Sequence, residues 1–370
     1  MKIAVITPVF ALAGVPLAQV RLARSLAARG HTVDLMIGRV LAGYSFTPPE
    51  SLNTKIFRQP NVRSLLWPLV QYLWSEKPEV VFSAEDHLNT IVLAAAVLSG
   101  SRAKISCSSR VTPFDTYSNR KFSKRWILKQ SVRAVMWRAD ALTCVSKDMV
   151  KQYQSIFNNA PHHCVYNIVS DGASANRMHE AVDHPWLSSK DIPVVIAAGR
   201  LAPWKGFSDL IDAMELVRAD RQVRLLILGN GPLRDDLQQR IAAHGLVNAV
   251  QLLGYVENPL KYFARAEVFA LSSHVEGLPN VLVEAMMCGC TPVATDCPTG
   301  PREVLEDGRY GYLVKPRNPR SIADGILKAL DCRIPQEYLA AAIRPFDEDA
   351  VIARHFELLG LSEHTHRVPA

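Results

Sequence analysis

The fold is indicated most directly by residues 194–228, which read VVIAAGRLAPWKGFSDLIDAMELVRADRQVRLLIL. Two apolar runs, Val194–Ala198 and Val223–Leu228, have the length and composition of buried strands. The segment between them, Phe207–Val217, has the apolar pattern of a helix. A strand, a helix and a strand in this order form a βαβ unit, in which the two strands run parallel.

The same alternation continues on both sides of this unit. Further strands are predicted at Ile3–Thr7, Val33–Ile37, Val80–Ser83, Ile105–Ser108, Ala141–Val145, Val250–Leu253, Val268–Leu271, Thr291–Ala294 and Gly311–Leu313. Further helices are predicted at Pro16–Arg29, Leu88–Leu98, Leu233–His244 and Asn258–Ala264, and over residues 318–331 and 347–360. The pattern is typical of α/β proteins with doubly wound parallel sheets.

A chain of 370 residues is too long for one ordinary core and suits two domains. We predict Rossmann-like domains at residues 1–169 and 192–345, facing each other across a cleft where strand carboxyl ends bind a nucleotide. Residues 170–191 are polar and weakly periodic, which favours a linker. Residues 346–370 are predicted to form a C-terminal helix and tail that could pack back on the first domain.

The composition is that of a globular protein, with 48% hydrophobic and 21% charged residues. No apolar run has the ~20 residues that a membrane span needs. The first residues lack the layout of a signal peptide, so a cytoplasmic location is expected. The seven cysteines are scattered and lack zinc-site spacing, which favours free, buried thiols and no metal site.

The net charge of +7 is unevenly distributed, because residues 1–169 have 21 Lys and Arg against 9 Asp and Glu. Much of this excess lies in residues 110–138, where four cations recur every four residues and aromatic residues are interleaved. These cations are Lys121, Arg125, Lys129 and Arg133. Residues 120–138 could form an interfacial helix that binds an anionic membrane surface, or a solvated helix whose aromatics belong to the core. Nothing resembles a nucleic-acid module, so no nucleic-acid partner is expected.

The stretch 272–285 reads SSHVEGLPNVLVEA and contains two glutamates eight positions apart. Gly277 is flexible, and Pro279 suits the first position of a helix. Glu276 should therefore lie on a loop and Glu284 on the second turn of that helix. The helix N-terminus between them can bind phosphate, so the layout suits a sugar nucleotide, whose hydroxyls flank its phosphates. The alternative is that both glutamates are ordinary surface residues.

Other loops after strands of the second half add candidate ligand contacts. Arg200 and Lys205 lie five residues apart and could neutralise a diphosphate leaving group, unless they are surface cations at a turn. Gly229 and Asn230 form a turn that either lets backbone approach a ligand or is merely tight. Main-chain groups of Tyr255 and Val256 could hold a base, or could form an ordinary strand exit.

Three residues of the first half also follow predicted strands. A backbone N–H near Gly14 could contact phosphates from across the cleft. His87 follows the strand Val80–Ser83, where catalytic groups often lie, although a lone histidine is commonly structural. Arg110 follows the strand Ile105–Ser108 and could bind an anionic acceptor.

Taken in order, these blocks resemble the retaining glycosyltransferases of family 4. Residues 199–206 are similar to that family's G-R-L-x-x-x-K-G block, and residues 228–232 to its G-x-G-P turn. Residues 276–284 resemble its E-G-x-P…E block. Residues 296–303, DCPTGPRE, resemble a stretch found in a subgroup that builds polysaccharides on lipid carriers. The resemblance covers most of the chain and is strongest from Val194 to Leu313.

The resemblance implies the GT-B fold, with the donor held by the second domain. It implies that Arg200 and Lys205 neutralise the diphosphate, that Glu276 contacts sugar hydroxyls and that Glu284 contacts the ribose. The backbone of Gly277, Leu278, Pro279, Asn280 and Val281 would line the sugar and phosphates. Transfer would proceed with retention, without a metal or any cofactor besides the nucleotide-sugar co-substrate.

The first half departs from the family pattern. Ala13-Gly14-Val15-Pro16 stands where the family often has Gly-Gly-x-Glu, and Arg110 stands where it often has histidine. His87 or Arg110 would therefore border the acceptor.

The sequence thus predicts a cytoplasmic glycosyltransferase, peripheral to the inner face of the membrane. It would move a hexose or N-acetylhexosamine from a UDP-sugar to a saccharide or lipid-linked saccharide in cell-surface polysaccharide or lipopolysaccharide assembly. The alternatives are a UDP-sugar 2-epimerase of the same fold and a non-catalytic nucleotide-sugar-binding protein.

Overall fold

The computed structural model describes residues 1–11, 14–188 and 191–362, which form two compact units. The first unit comprises Met1–Ile168 and the described residues from Asp347 onward, and the second comprises Val169–Phe346. Each unit is built on one sheet, and every strand pair that the structure describes runs parallel. The predicted class, two doubly wound α/β domains, is confirmed.

The sheet of the first unit has seven strands in the order β3-β2-β1-β4-β5-β6-β7. They are β1 (Lys2–Phe10), β2 (Thr32–Val40), β3 (Asn53–Ile56), β4 (Val80–Ala84), β5 (Lys104–Ser109), β6 (Ala141–Cys144) and β7 (His162–Cys164). The helices between them are α1 (Gly14–Ala28), α2 (Leu66–Glu76), α3 (Asp86–Ser99), α4 (Pro113–Thr116), α5 (Lys124–Val135) and α6 (Lys147–Ile156). The sequence analysis did not predict the edge strands β3 and β7, because edge strands are short and partly exposed and so lack an apolar run.

The second unit has a six-stranded sheet in the order β10-β9-β8-β11-β12-β13. The helices that precede it are α7 (Ser174–His179) and α8 (Pro185–Ser188). The strands are β8 (Val194–Ala198), β9 (Arg224–Leu228), β10 (Val250–Gly254), β11 (Val268–Leu271), β12 (Thr291–Thr295) and β13 (Tyr312–Val314). The other helices are α9 (Phe207–Asp220), α10 (Arg234–Ala243), α11 (Leu260–Phe263), α12 (Asn280–Met287), α13 (Pro301–Val304), α14 (Pro319–Asp331) and α15 (Gln336–Ile343).

The prediction of a linker at residues 170–191 needs correction. The described part of this segment contains α7 and α8 and belongs to the second unit. Trp186 and Leu187 are buried although their neighbours are polar, and Arg224 lies over the Trp186 ring, 5.1 Å from its centroid. Two apolar anchors in a polar stretch are too few to give a helical period in the sequence.

The last helix, α16 (Glu348–Leu359), packs on the first unit. Val351, Ile352 and Phe356 are buried in the same apolar cluster as residues of β1 and β2. Burial of side chains of this size contributes about 1.5–3 kcal/mol each. The chain therefore returns to its first unit after completing the second.

Gly206 is a position where the fold of the second unit needs glycine. Its φ is +63°, and a Cβ there would lie 2.0 Å from the backbone oxygen of Ser272. Gly206→Ala should therefore lower the free energy of unfolding by about 3 kcal/mol, through left-handed strain and overpacking. Gly245 is the matched control, because its φ is +65° and no atom lies within 4 Å of its Cβ position.

Gly245→Ala should cost only about 1 kcal/mol. Denaturant unfolding of the two variants measures the difference. Equal losses would contradict the close approach at Ser272.

Candidate functional site

The predicted donor-site loops of the second half leave the carboxyl-terminal edge of the second sheet, which we call the donor edge. The parallel strands β9, β8, β11 and β12 are neighbours in that order, so the loops that follow them emerge together. These loops contain the four sequence blocks described above, and the tertiary structure joins them through specific contacts.

Lys205 and Glu276 form the central pair of this edge. The Nζ of Lys205 lies 2.6 Å from Oε1 of Glu276, and the two side chains are only 18% and 9% exposed. The hydroxyl of Ser273 also donates to Oε1 at 2.6 Å, and the hydroxyl of Thr299 donates to the backbone oxygen of Glu276. The Glu276 carboxylate is therefore largely buried and fixed by an ion pair and a hydrogen bond, and Glu276 is not a solvated surface residue.

The loop that carries Lys205 is fastened to the loop that carries Glu276. The hydroxyl of Ser272 donates to the backbone oxygen of Lys205 at 2.9 Å, and the backbone N–H of His274 donates to Trp204 at 2.8 Å. The Nε2 of His274 lies 2.7 Å from Oδ2 of Asp209 in the first turn of α9. These contacts hold the backbone around Lys205 in place.

The helix after Glu276 begins one residue later than predicted. It spans Asn280–Met287, and Pro279 precedes it with φ −79° and ψ 79°, so Pro279 is not the first helical residue. Glu284 lies on the second turn, as predicted, and is half-buried. Pro279 packs closely against Gly300 (φ +91°), where a Cβ would lie 2.6 Å from Cδ of Pro279.

The block at residues 296–303 contacts this loop, because the backbone N–H of Glu276 donates to the backbone oxygen of Pro298 at 3.4 Å. The Nε of Arg302 donates to Asp296 at 3.0 Å and its Nη1 donates to Asp307 at 3.1 Å. These exposed contacts tie α13 to the end of β12. Ser273 and Thr299 lie within the motifs but were not predicted as site residues, because hydroxyl residues are too common in any sequence to indicate a site.

The two predicted cations behave differently. Arg200 is exposed and forms no ion pair among the residues that the structure describes. Lys205 is engaged with Glu276. A ligand with negative charge would find one cation free to move towards it and one already held in place.

The glycine turn after β9 packs against the Arg200 loop. A Cβ at Gly229 would lie 1.9 Å from the backbone oxygen of Gly199, and one at Gly231 would lie 2.3 Å from that of Leu201. The backbone N–H of Leu201 donates to Asn230 at 3.0 Å. These glycines are thus required for backbone packing, whatever their contact with a ligand. Asn230 and Tyr255 are exposed at the ends of β9 and β10, and Val256 is half-buried.

At the corresponding edge of the first sheet, the predicted residues are not joined to one another. Gly14 is the first residue of α1 and has no atom within 4 Å of its Cβ position. His87 is exposed on the first turn of α3. Arg110 follows β5, and its Nη2 donates to Oε1 of Gln19 at 3.3 Å. The two acidic residues that precede His87, Glu85 and Asp86, are more enclosed than the histidine.

Asp86 is a buried carboxylate that sequence reasoning missed. It accepts hydrogen bonds from the hydroxyls of Ser109 and Tyr153, each at 2.6 Å. The Tyr153 hydroxyl also lies 2.9 Å from the backbone oxygen of Val111. Burial raises the pKa of Asp86 although these hydrogen bonds oppose the rise. The network fastens the segment after β5, which carries Arg110, to α3 and α6.

The predicted cationic stripe at residues 120–138 is broken in the structure. Helix α5 begins at Lys124, so Lys121 precedes it, and Lys129 is buried with its Nζ donating to Asn119 at 2.8 Å. Phe122 and Trp137 are 83% and 70% exposed and therefore do not belong to the core. The exposed surface combines basic and aromatic side chains but is not one helical face.

No helix of the described residues is both long and apolar enough to cross a membrane. In the same part of the chain, no group of three or more His, Cys, Asp or Glu side chains is arranged to hold a metal ion. All seven cysteines are free, and five of them are buried.

Two family models match the chain. Residues 180–345 match the model described as glycosyl transferases group 1, and residues 13–167 match the glycosyl transferase 4-like domain. The chain belongs to the family 4 glycosyltransferases. Both halves of this family 4 chain carry the match, and the fold is GT-B.

Two bacterial glycosyltransferases are among the proteins that are similar to this chain. The N-acetylgalactosamine-N,N'-diacetylbacillosaminyl-diphospho-undecaprenol 4-alpha-N-acetylgalactosaminyltransferase of Campylobacter jejuni is 31% identical, over 66% of this chain and 64% of its own length. The amylovoran biosynthesis glycosyltransferase AmsD of Erwinia amylovora is 25% identical over 77% of each chain. The match thus spans slightly less than two thirds of the Campylobacter protein.

Among solved structures, the Anabaena protein HepE in complex with UDP aligns with a TM-score of 0.75. It is 20% identical, and the alignment covers 97% of this chain and 100% of HepE. At that identity the likeness establishes the fold alone.

Proposed function

We propose that this chain is a retaining glycosyltransferase that moves a hexose or N-acetylhexosamine from a UDP-sugar to a saccharide or lipid-linked saccharide acceptor. The observation that carries the proposal is the Lys205–Glu276 pair, held at 2.6 Å between two loops at the carboxyl edge of the second sheet. Four independent motifs converge on that edge. The Campylobacter relative acts on a diphospho-undecaprenol-linked saccharide and the Erwinia relative acts in amylovoran biosynthesis, which supports a lipid-linked or polysaccharide acceptor.

The cations have a direct chemical use in such a transfer. As the bond between the anomeric carbon and the diphosphate breaks, negative charge builds on the leaving oxygen. Lys205 is already held in place and Arg200 is free to approach, so both can stabilise that charge without a divalent cation.

Glu276 is suited to bind the transferred sugar. Both of its side-chain contacts go to Oε1, which leaves Oε2 to accept a hydrogen bond from a sugar hydroxyl. The half-buried Glu284, on the second turn of α12, would accept a hydrogen bond from a ribose hydroxyl. The amides that begin α12 would face the phosphates or the sugar.

The reaction would keep the configuration at the anomeric carbon. The acceptor oxygen would bond to that carbon on the face from which the diphosphate departs. Its proton would pass to a phosphate oxygen of the leaving nucleotide, so no separate base is required.

The proposal is tested by a thermal-shift screen with UDP-, GDP- and ADP-sugars. A ligand that binds only the folded state raises stability by about 2.7 kcal/mol at 100 times its Kd, so UDP-sugars should raise the Tm most. A nucleotide-sugar and an acceptor should then release UDP in the presence of EDTA. A changed sugar formed without any acceptor would instead favour a 2-epimerase, and binding without either reaction would favour a non-catalytic binding protein.

We also propose that the protein is peripheral to the inner face of the membrane, through the exposed residues of the segment 120–138. The triple variant R120Q/K121Q/K124Q removes three exposed cations whose side chains form no hydrogen bond among the described residues. Each cation near an anionic surface contributes about 1 kcal/mol, so binding to vesicles containing anionic lipid should weaken by about 100-fold.

Vesicle sedimentation measures this change. The matched control is K315Q/R317Q/R320Q, which removes three exposed cations from the second unit and should bind like the wild type. Equal binding by both triple variants would exclude this segment as the membrane contact.

A further inference from the structure

Two enclosed charged residues follow adjacent strands of the first sheet. Glu85 follows β4 and Arg110 follows β5, and these strands pair in register at Ala84 and Ser108. The charge of each residue affects the pKa of the other, yet the structure records no ion pair between them. This neighbourhood is outside the donor edge described above.

The Arg110 guanidinium has unused donors. Its Nε and Nη1 are buried without a hydrogen-bond partner among the described residues, and its one recorded contact is the donation to Gln19. Gln19 is itself fixed, because its Nε2 donates to the backbone oxygen of Ile6 at 3.2 Å. Burial lowers the pKa of Arg110 to about 10, which the charge of Glu85 opposes. A buried cation with unpaired donors is costly, so the arrangement favours an anion that supplies the missing acceptors.

Glu85 provides a second, independent observation. Its φ is +81° and its ψ is 131°, a backbone conformation that glycine adopts readily and glutamate does not. Strain of this kind persists where the surrounding structure enforces it and is concentrated at binding and catalytic sites. Burial raises the pKa of the Glu85 carboxyl, and the nearby Asp86 adds to the rise.

The surroundings hold both residues in place. Backbone N–H of Glu85 donates to Ser108 at 2.9 Å, and the Asp86 carboxylate binds Ser109 and Tyr153. The Tyr153 hydroxyl also lies 2.9 Å from the backbone oxygen of Val111, so the residues on both sides of Arg110 in the chain are contacted. Hydrogen bonds therefore hold the segments that carry Glu85 and Arg110 without any ligand.

We propose that Arg110 and Glu85 form an acceptor subsite, in which Arg110 binds an anionic oxygen group of the acceptor and Glu85 accepts a hydrogen bond from a neighbouring hydroxyl. The identification of this ligand as the sugar acceptor rests on the proposed function. The planar guanidinium fork matches phosphate and carboxylate oxygens alike. The anion is thus either the phosphate of a phosphate-linked saccharide or the carboxylate of an acidic sugar. The excess of positive charge in the first 169 residues would attract either one.

The first experiment measures binding without turnover. Inorganic pyrophosphate and glucuronate are titrated by calorimetry into the full chain with saturating UDP, which occupies the donor edge. One of the two anions should bind the wild type, and Arg110→Met should weaken that binding by about 10- to 100-fold. Arg102→Met is the matched control, an exposed arginine before the start of β5, and should bind like the wild type. Arg110→Lys keeps the charge without the fork and gives an intermediate loss if the methionine variant does not fold.

Equal anion binding by Arg110→Met and Arg102→Met would overturn the proposal. Because the readout is this difference and not transfer, a chain that moved no sugar would still show binding that depends on Arg110. The two proposals therefore fail separately.

The second experiment separates recognition by Glu85 from a structural role. Glu85→Gly removes the strained side chain, so it should leave the Tm unchanged or raise it by a few degrees. The same variant should raise the acceptor KM about 10-fold without changing the donor KM. Glu85→Gln should raise the acceptor KM with an unchanged Tm. Comparing the KM of acceptors that carry a diphosphate, a uronic acid or neither group identifies which anion Arg110 binds. A lower Tm with an unchanged acceptor KM in Glu85→Gly would exclude Glu85 from the subsite.

Discussion

Glu276→Gln is expected to lower kcat for sugar transfer by about 10²- to 10³-fold, the usual effect of removing one preorganised polar group from an active site. Glutamine has nearly the same shape, and its oxygen can still accept from Lys205 and Ser273, so the fold should be retained. What is lost is the negative charge that compensates Lys205 and that, in the proposed function, accepts a hydrogen bond from a sugar hydroxyl. Release of UDP under saturating donor and acceptor measures the change.

The matched control is Glu257→Gln, which replaces an exposed glutamate after β10 in the same unit. It should transfer sugar at the wild-type rate. Wild-type turnover by Glu276→Gln, with the same thermal stability, would remove Glu276 from the mechanism.

Lys205→Met is expected to lower kcat by about 10³-fold, because the leaving diphosphate loses the cation that is already in position. It should also lower the free energy of unfolding by about 2 kcal/mol, since the largely buried Glu276 carboxylate then lacks its cationic partner. Both effects are measurable on one preparation, by UDP release and by denaturant unfolding.

The double variant Lys205→Met/Glu276→Gln separates the two effects. Stability should recover towards the wild-type value, because no unpaired charge remains, while transfer stays impaired. Lys261→Met is the control for the loss of an ion pair in general. Lys261 lies 3.7 Å from Glu180, which is more exposed than Glu276. This substitution should therefore change the free energy of unfolding by less than about 1 kcal/mol. Recovery of activity in the double variant would contradict a direct role for Lys205.

Much of the fold could be predicted from the sequence because apolar periodicity reports burial. Central strands such as β8, β9 and β11 are covered on both faces, so they read as continuous apolar runs. Apolar periodicity did not predict four other elements. The strands β3 and β7 are partly exposed, and the helices α7 and α8 are anchored by few apolar residues. None of the four therefore gives a clear apolar period in the sequence.

The candidate site was predicted unevenly for a related reason. Motifs on single loops identified Lys205 and Glu276, and the structure brings them together through Ser272, Ser273 and Thr299. The first-sheet edge has no comparable motif. His87 was the predicted residue at that edge, whereas the residue with a strained backbone and an enclosed side chain is Glu85.

The sequence by itself determined the two parallel α/β sheets and the order of the loops that carry charge. These features depend on the local spacing of apolar residues and on the positions of glycine and proline. Both can be read directly from the sequence. Only the tertiary structure decided which charges are paired, buried or strained. Lys205 meets a carboxylate, Lys129 turns inward and Arg110 has donors without a partner among the described residues, and none of these environments can be read from the sequence. The physical reason is that the free energy of a charge depends on its solvation and its partners, and both are set by residues distant along the chain.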